Sequence, residues 1–260
     1  MATPSPEQTI LGYNAAVAAV RSRVVAFARA AWRASPAYRD AEVARLVSML
    51  VPRVQAGQVQ VAQLTAAYIA ALTATTAAPV NAATVTGGRG VPAAEVYRRP
   101  AIEVYTALSQ GKPFSQAVAA GASRLESLVT TDLQMAKVRQ SDASMRSTGF
   151  RFYRRVLTGA ENCALCTIAA TQRYHVGNLL PIHPGCDCGV QPIDVNYQLP
   201  QVLDKAELAA THDLVAEVAR PDLSGRATDY RKLLITHEHG EYGPTIAWRG
   251  QHFDGPSVAS

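Results

Sequence analysis

The sequence predicts a mainly α-helical protein with a small α+β module near its C-terminus. Apolar residues recur every three or four positions along most of the chain before residue 145, which is the spacing of amphipathic helices. Segments rich in β-branched and aromatic residues, typical of strands, appear only beyond residue 149. We divide the 260 residues into an N-terminal helical region, 1–88, and a second region, 89–260.

The N-terminal region is expected to form a helical bundle that can dock to a partner protein or to other copies of the chain. Ser5-Pro6-Glu7-Gln8 has the form of a capping box with proline in the first turn, and it predicts a helix over residues 5–33. A second helix is predicted to begin after a Ser35-Pro36 cap and to end at Gly57, because glycine is common at helix C-termini. The glycine-rich segment 84–90 is predicted to be a loop at the boundary between the regions.

No charged residue occurs from Val54 to Gly88. The run contains glutamine, threonine and many alanines, so it is too polar for a confident membrane span. We therefore expect a helix packed inside a bundle or an oligomer, and no membrane partner.

Later elements follow from the same patterns. Helices are predicted over residues 92–108, 115–144 and 200–219, and a β-hairpin over residues 233–249. A strand is predicted over residues 150–157. Its alternation places Phe150, Phe152 and Val156 on one face, and Arg151, Tyr153 and Arg155 on the other.

The charge of the chain is unevenly distributed. Residues 1–158 hold 18 Lys and Arg against 8 Asp and Glu, whereas residues 159–260 hold 7 against 12. The excess of positive charge in residues 1–158 would favour binding to DNA or to an acidic protein surface. A basic face that is simply solvated explains the count equally well. Arginines beside aromatic residues can hold nucleic acid, so we predict that role for Arg151, Arg154 and Arg155. An ordinary amphipathic strand is the alternative.

All four cysteines fall within one short stretch, Cys163, Cys166, Cys186 and Cys188, with the spacing C-x2-C-x19-C-x-C. Four thiolates from two turn-rich segments can form the closed tetrahedral site that structural zinc uses. A C-x-C pair is tight for two ligands of one ion, so His183 is an alternative ligand to Cys186 or Cys188. The sequence thus predicts a zinc-stapled module, in which the metal stabilises the fold.

Two disulfides, or thiols without a metal, are the alternatives to zinc. No segment at the N-terminus has the charged and then apolar pattern of a secretion signal, so we expect folding in the reducing cytosol, where thiols persist. A C-x-x-C redox role is disfavoured because it leaves the second cysteine pair unexplained.

Three segments in this part of the chain resemble a known family: Tyr153–Leu157, Cys163–Cys166 and His183–Cys188, the last followed by a Val-x-Pro turn at 190–192. They are similar to the C-terminal signature of the MuF-like minor head proteins of tailed bacteriophages, particularly those that infect actinobacteria. Segments 99–106, 124–127, 131–134 and 239–244 resemble the same proteins, so the resemblance spans roughly residues 92–253.

The resemblance implies a minor capsid protein. Such a protein is expected inside the virion near the portal vertex, after assembly in the cytoplasm of the host bacterium. It would contribute to head assembly, or to genome packaging and ejection, by binding. The implied partners are the portal protein, other head proteins, packaged DNA and further copies of the same chain. The N-terminal region, 1–88, would dock to the portal or to other copies of the chain.

Proteins that resemble this one are often labelled capsid maturation proteases, so a prohead protease is the first alternative. The sequence contains no G-x-S-x-G elbow, no Walker A loop and no Rossmann glycine fingerprint. His175 and His183 are the candidate bases, but both lie between the cysteine pairs, and a zinc-bound imidazole has no lone pair for proton transfer. The sequence therefore favours a binding protein over an enzyme. A serine or cysteine nucleophile with a histidine base stays open, because such partners meet in space and not in sequence. A zinc-dependent DNA-binding module is the second alternative.

Overall fold

The computed structural model describes residues 5–35, 37–158, 162, 164–177, 179–180, 188–193, 199–218, 234–239 and 243–248. Seven helices and five strands lie within these residues, which confirms a mainly helical fold with a small sheet. In chain order they are α1 (Pro6–Arg33), α2 (Asp40–Thr73), α3 (Ala82–Thr86), α4 (Ala93–Ser109), α5 (Phe114–Ser147), β1 (Phe152–Val156), α6 (Ala164–Ala170), β2 (Arg173–His175), β3 (Gly189–Ile193), α7 (Lys205–Val218), β4 (Leu234–His239) and β5 (Gly243–Trp248).

Packing divides the described residues into two compact units. The helical unit contains those within 15–64 and 80–137, and the sheet unit those within 5–14, 65–79 and 138–248. Both units include residues from either side of the boundary expected between residues 88 and 89. That division of the chain stays a prediction.

Helix α1 begins as its sequence predicts. The backbone N–H of Gln8 donates to Ser5 Oγ at 3.2 Å, and the backbone N–H of Ser5 donates to Gln8 Oε1 at 3.0 Å. This reciprocal pair is the capping box, and it supplies partners to backbone groups that the first turn leaves without one.

The second helix differs from its prediction at both ends. It begins at Asp40 instead of directly after Ser35-Pro36, and it continues through Gly57 to Thr73. A Cβ atom on Gly57 would lie 2.8 Å from Val24 Cγ2 and 3.1 Å from Leu133 Cδ2. The glycine is therefore needed for the close approach of neighbouring helices, and it does not end α2.

The uncharged run forms the second half of α2 and then α3. Val61, Ala62 and Ile69 in it are fully buried, as expected of a packed helix. Among the described residues, one helix, α1, is long and apolar enough to cross a membrane. Core helices of soluble proteins pass the same test, so the finding does not assign a membrane.

The core of the helical unit forms where α1, α2, α4 and α5 meet. Its largest fully buried side chains are Trp32, Leu46, Leu50, Val54, Leu125 and Leu128. Gly121 of α5 allows the tightest approach in it. A Cβ atom there would lie 2.5 Å from Trp32 Cζ2, 2.7 Å from the Pro100 carbonyl oxygen and 2.7 Å from Val104 Cγ2.

A buried polar network also ties the helical unit together. Arg89 Nε donates to Asp132 Oδ1 at 2.6 Å, and the Tyr97 hydroxyl donates to Asp132 Oδ2 at 2.7 Å. Gln58 Nε2 donates to the backbone carbonyl of Asp132 at 3.3 Å. Burial, and then the neighbouring carboxylate of Asp132, raise the pKa of Tyr97 well above its usual range. The network joins α2, α4 and the α3–α4 connection to α5.

The sheet unit contains a three-stranded antiparallel sheet with strand order β2-β1-β3. Strand β1 pairs Tyr153 with Tyr174 on one side and with Pro192 on the other. The prediction of a turn at residues 190–192 is wrong, because these residues belong to β3. An edge strand tolerates Pro192, whose nitrogen has no hydrogen to donate.

The C-terminal hairpin is confirmed by an antiparallel pair in which Leu234 of β4 lies opposite Trp248 of β5. Helix α7, predicted over residues 200–219, runs from Lys205 to Val218.

We predict that Gly121→Ala destabilises the protein by about 1–3 kcal/mol, because the added methyl group overlaps the Pro100 carbonyl as well as side chains. The measurement is the free energy of unfolding in urea. Gly12→Ala is the matched control, since nothing lies within 4 Å of a Cβ at that position of α1. It should stabilise the protein by about 0.5–1 kcal/mol. Equal effects of the two substitutions would contradict the close packing at Gly121.

Candidate functional site

The structure brings together one cysteine from each predicted pair. Cys166 lies in α6, and Cys188 immediately precedes β3. Each is 5% exposed, and both belong to one small apolar core with Leu165 and Ala169. Cys163, His183 and Cys186 lie outside the described residues. One cysteine of each pair thus lies in the same core, and the predicted ligand set stays a prediction.

Local sequence explains how α6 is held against the sheet. The helix buries its apolar side chains, Leu165, Cys166, Ile168 and Ala169. The Tyr174 hydroxyl of β2 donates to the Ala169 carbonyl oxygen at 2.9 Å, and its ring packs against the apolar core that contains both cysteines. Tyr174 therefore connects the sheet to the helix that carries Cys166.

Arg155 lies beside Cys188, on the same side of the sheet as Tyr174. It is only 3% exposed. Its Nη1 atom lies 3.7 Å from Cys188 Sγ, and its Nη2 atom donates to the Leu180 carbonyl oxygen at 2.6 Å. The guanidinium carbon lies 5.5 Å from the centre of the Tyr174 ring. One buried cation thus contacts a sulfur atom, a backbone carbonyl and an aromatic ring.

The two polar contacts of Arg155 flank segment 181–187, which contains His183 and Cys186. Leu180 directly precedes this segment and Cys188 directly follows it. Arg155 of β1 therefore contacts both of the residues that flank this segment. A guanidinium beside a cysteine also offers positive charge to a thiolate, the form in which cysteine binds metals.

Cysteine sulfurs are the donors that a metal at this site would use. Within the described residues, no three His, Cys, Asp or Glu side chains form a group that could hold an ion. Three of the five predicted ligands lie outside those residues, so zinc stays a prediction here. Two buried cysteines with an adjacent cation fit a structural zinc site.

The three arginines predicted to bind nucleic acid occupy different environments. Arg151 is exposed just before β1, and Arg154 is exposed on β1 with its Nε atom donating to Gln191 Oε1 at 2.8 Å. Arg155 is buried, with the contacts described above. The predicted alternation correctly places Tyr153 and Arg155 together, and theirs is the buried face of the strand.

The exposed face of the sheet includes two residues that were not among the predicted nucleic-acid contacts. Arg173 lies opposite Arg154 on the neighbouring strand, and its guanidinium carbon is 4.2 Å from the centre of the Phe152 ring. The His175 ring lies 4.6 Å from the same ring. These neighbours depend on the register of β1 against β2, and no local sequence signal specifies that register.

Comparison with known proteins finds no protein-family model that matches this chain, and no curated protein or solved structure with significant similarity to it.

Tyr153 and Tyr174 provide a matched pair for testing the buried face. Their rings stack at 5.4 Å, and Tyr153 is fully buried. The Tyr153 hydroxyl has no hydrogen-bond partner among the described residues, whereas that of Tyr174 donates to Ala169. Burial raises the pKa of Tyr153 to about 12.

We predict that Tyr153→Phe leaves stability at pH 7 unchanged or raises it, whereas Tyr174→Phe costs about 1 kcal/mol. The wild type should also lose stability as the pH rises from about 10 to about 12. The reason is that the Tyr153 hydroxyl loses its proton at a lower pH in the unfolded chain than in the folded protein. Tyr153→Phe should reduce that loss. Urea unfolding at pH 7 and across the alkaline range measures both effects. A large loss at pH 7 in Tyr153→Phe alone would contradict this account.

Proposed function

We propose that this protein is a MuF-like minor capsid protein of a tailed bacteriophage, a structural component that acts by binding at the portal vertex. We further propose that zinc on the cysteine cluster holds its C-terminal module together. The observation that carries the zinc assignment is the burial of Cys166 and Cys188 in one small core, although 21 residues separate them in sequence.

The residues that would hold the metal are Cys163, Cys166, Cys186 and Cys188, with His183 as the alternative to one of the last two. Zinc would link the start of α6 to the start of β3 and hold them at a fixed distance. Four protein ligands leave no open position for substrate, so the metal would serve the fold. Several thiolates around one zinc ion leave net negative charge, and the buried guanidinium of Arg155 lies where it would offset that charge.

The described geometry favours binding over proteolysis. Tyr174 packs with the cysteines on one face of the sheet, and strand alternation places its neighbour His175 on the opposite face. His175 is therefore poorly placed as a base for Cys166 or Cys188, as a cysteine protease would require. The prohead protease remains the contrasting hypothesis for other nucleophiles.

Exposed apolar side chains on the helical unit support a docking role. Ile102 of α4 is 59% exposed and Phe114, at the start of α5, is 52% exposed. Both lie within residues 92–253, the span of the resemblance, and this distinguishes them from other exposed apolar side chains, which are common on protein surfaces. The portal protein, other head proteins or further copies of this chain are the partners that the resemblance implies, and packaged DNA is a further proposed contact.

We predict one zinc ion per chain in the purified protein, measured by mass spectrometry of the metal. Cys166→Ser and Cys188→Ser should lose the metal, because each removes a thiolate ligand. Arg155→Gln keeps all the ligands but should bind zinc more weakly. A chelator should therefore remove zinc from this variant at a chelator concentration about 10–100-fold lower than the wild type requires.

Arg154→Gln is the matched control for Arg155→Gln. It removes the same charge from the adjacent, exposed position of β1, and it should leave zinc retention unchanged. Purified protein without metal, with normal folding in both cysteine variants, would show that the zinc assignment is wrong. Equal zinc release from the two arginine variants would contradict the role given to Arg155.

The binding function is tested by co-expression with the portal and scaffold proteins of the same phage. We predict that the chain co-purifies with the portal and leaves the scaffold at full length. Ile102→Ser combined with Phe114→Ser should reduce the recovered portal by about tenfold, since it removes two exposed apolar contacts. Ala119→Ser, at an exposed position of α5 without a large apolar side chain, is the control and should have no effect. Scaffold cleavage that a single Ser, Cys or His substitution abolishes would instead establish the protease.

A further inference from the structure

The exposed face of the three-stranded sheet combines basic and planar side chains. Antiparallel pairing places Arg154 beside Arg173 and Gln191, and Phe152 beside His175 and Ile193. Arg154 and His175 are exposed, and the other four are half-buried. We call these six residues the outer face. It is the side opposite Tyr153, Arg155 and Tyr174.

Both arginines of the outer face are held in place by neighbouring groups. The guanidinium of Arg173 lies over the Phe152 ring, and its Nε atom donates to the Pro200 carbonyl oxygen at 3.2 Å. The Nε atom of Arg154 donates to Gln191 Oε1 at 2.8 Å. Side chains that are already ordered lose little conformational entropy when a ligand binds.

Strands β1, β2 and β3 contain no Asp or Glu. The positive charge of Arg154 and Arg173 is therefore not offset within the strands themselves. A surface of this kind is complementary to a polyanion.

The planar groups narrow the choice of polyanion. A guanidinium whose carbon lies 4.2 Å from the centre of a phenyl ring and an exposed imidazole can both accept the face of a nucleic-acid base. Bases present their faces in single strands, whereas in a duplex they are covered by their neighbours. An acidic peptide would use the charges alone.

We propose that the outer face binds single-stranded nucleic acid. Arg154 contacts phosphate, and bases stack on the Arg173–Phe152 pair and on His175. This proposal replaces buried Arg155 with Arg173 among the nucleic-acid contacts. It depends neither on zinc nor on a role in the capsid.

The test is fluorescence anisotropy of full-length protein with a labelled oligo(dT) of about 20 nucleotides, a length that exceeds the site size of small binding folds. We expect saturable binding that weakens as salt increases. Arg154→Gln combined with Arg173→Gln should lower the affinity at least about tenfold at low salt. It should also reduce the slope of log K against log salt by about 1.4. Phe152→Leu, which retains both arginines, should lower the affinity roughly fivefold or more.

Arg45→Gln combined with Arg98→Gln is the control for the double variant, because it removes the same charge from exposed helical positions. It should change the affinity less than about twofold. Equal losses in the two double variants would overturn the proposal, as they would show attraction by overall charge only. Oligo(dT) binding that a duplex of equal length or an oligo-glutamate peptide matches would overturn it too, as would no binding at low salt.

A second measurement applies if Phe152→Leu loses its circular dichroism spectrum. Ultraviolet crosslinking of the wild type to the oligonucleotide, followed by peptide mapping, should place the adducts within residues 151–155 or 173–175. Adducts found only elsewhere in the chain would overturn the proposal.

Discussion

The buried guanidinium of Arg155 links several separate parts of the sheet unit. Removing a cation from water costs several kcal/mol unless its surroundings replace the lost hydration. Around Arg155 that replacement comes from the Leu180 carbonyl, the face of Tyr174 and the sulfur of Cys188. Strands β1 and β2 and both residues that flank segment 181–187 must be in position together. The arginine therefore couples the formation of the sheet to the placement of the cysteines.

Elements with local signals were predictable from the sequence, and those set by distant contacts were not. The capping box identifies the start of α1 because both of its partners, Ser5 and Gln8, lie within one turn. Gly57 has the local signal of a helix end, but Val24 and Leu133 determine its role, and neither is near it in sequence. Similarly, Pro192 suggested a turn, whereas its pairing with Tyr153 places it in an edge strand.

In the candidate site, too, some features were predictable from local sequence and others depend on distant contacts. Cysteine spacing predicted a zinc site from all four cysteines, and the structure describes two of them, Cys166 and Cys188, in one core. Strand alternation predicted which residues share a face of β1. It did not predict which face is buried, because aromatic residues and arginines occur on both faces. Burial of Arg155, and the position of Arg173 over Phe152, follow from strand pairing and cannot be read from either segment alone.

The uncharged run also determines which peptide trypsin releases from this part of the chain. Trypsin cleaves after lysine and arginine, so it can release this part of the chain only as the peptide from Val54 to Arg89. The side chain of Arg89 is paired with Asp132 and is 9% exposed. Cleavage after Arg89 thus requires the pair to separate, because a protease must bind the arginine in an extended segment. Cleavage after Arg53 likewise requires α2 to open, because that residue lies inside the helix. The rate at which the peptide appears in a tryptic digest would therefore report the opening of both α2 and the buried network.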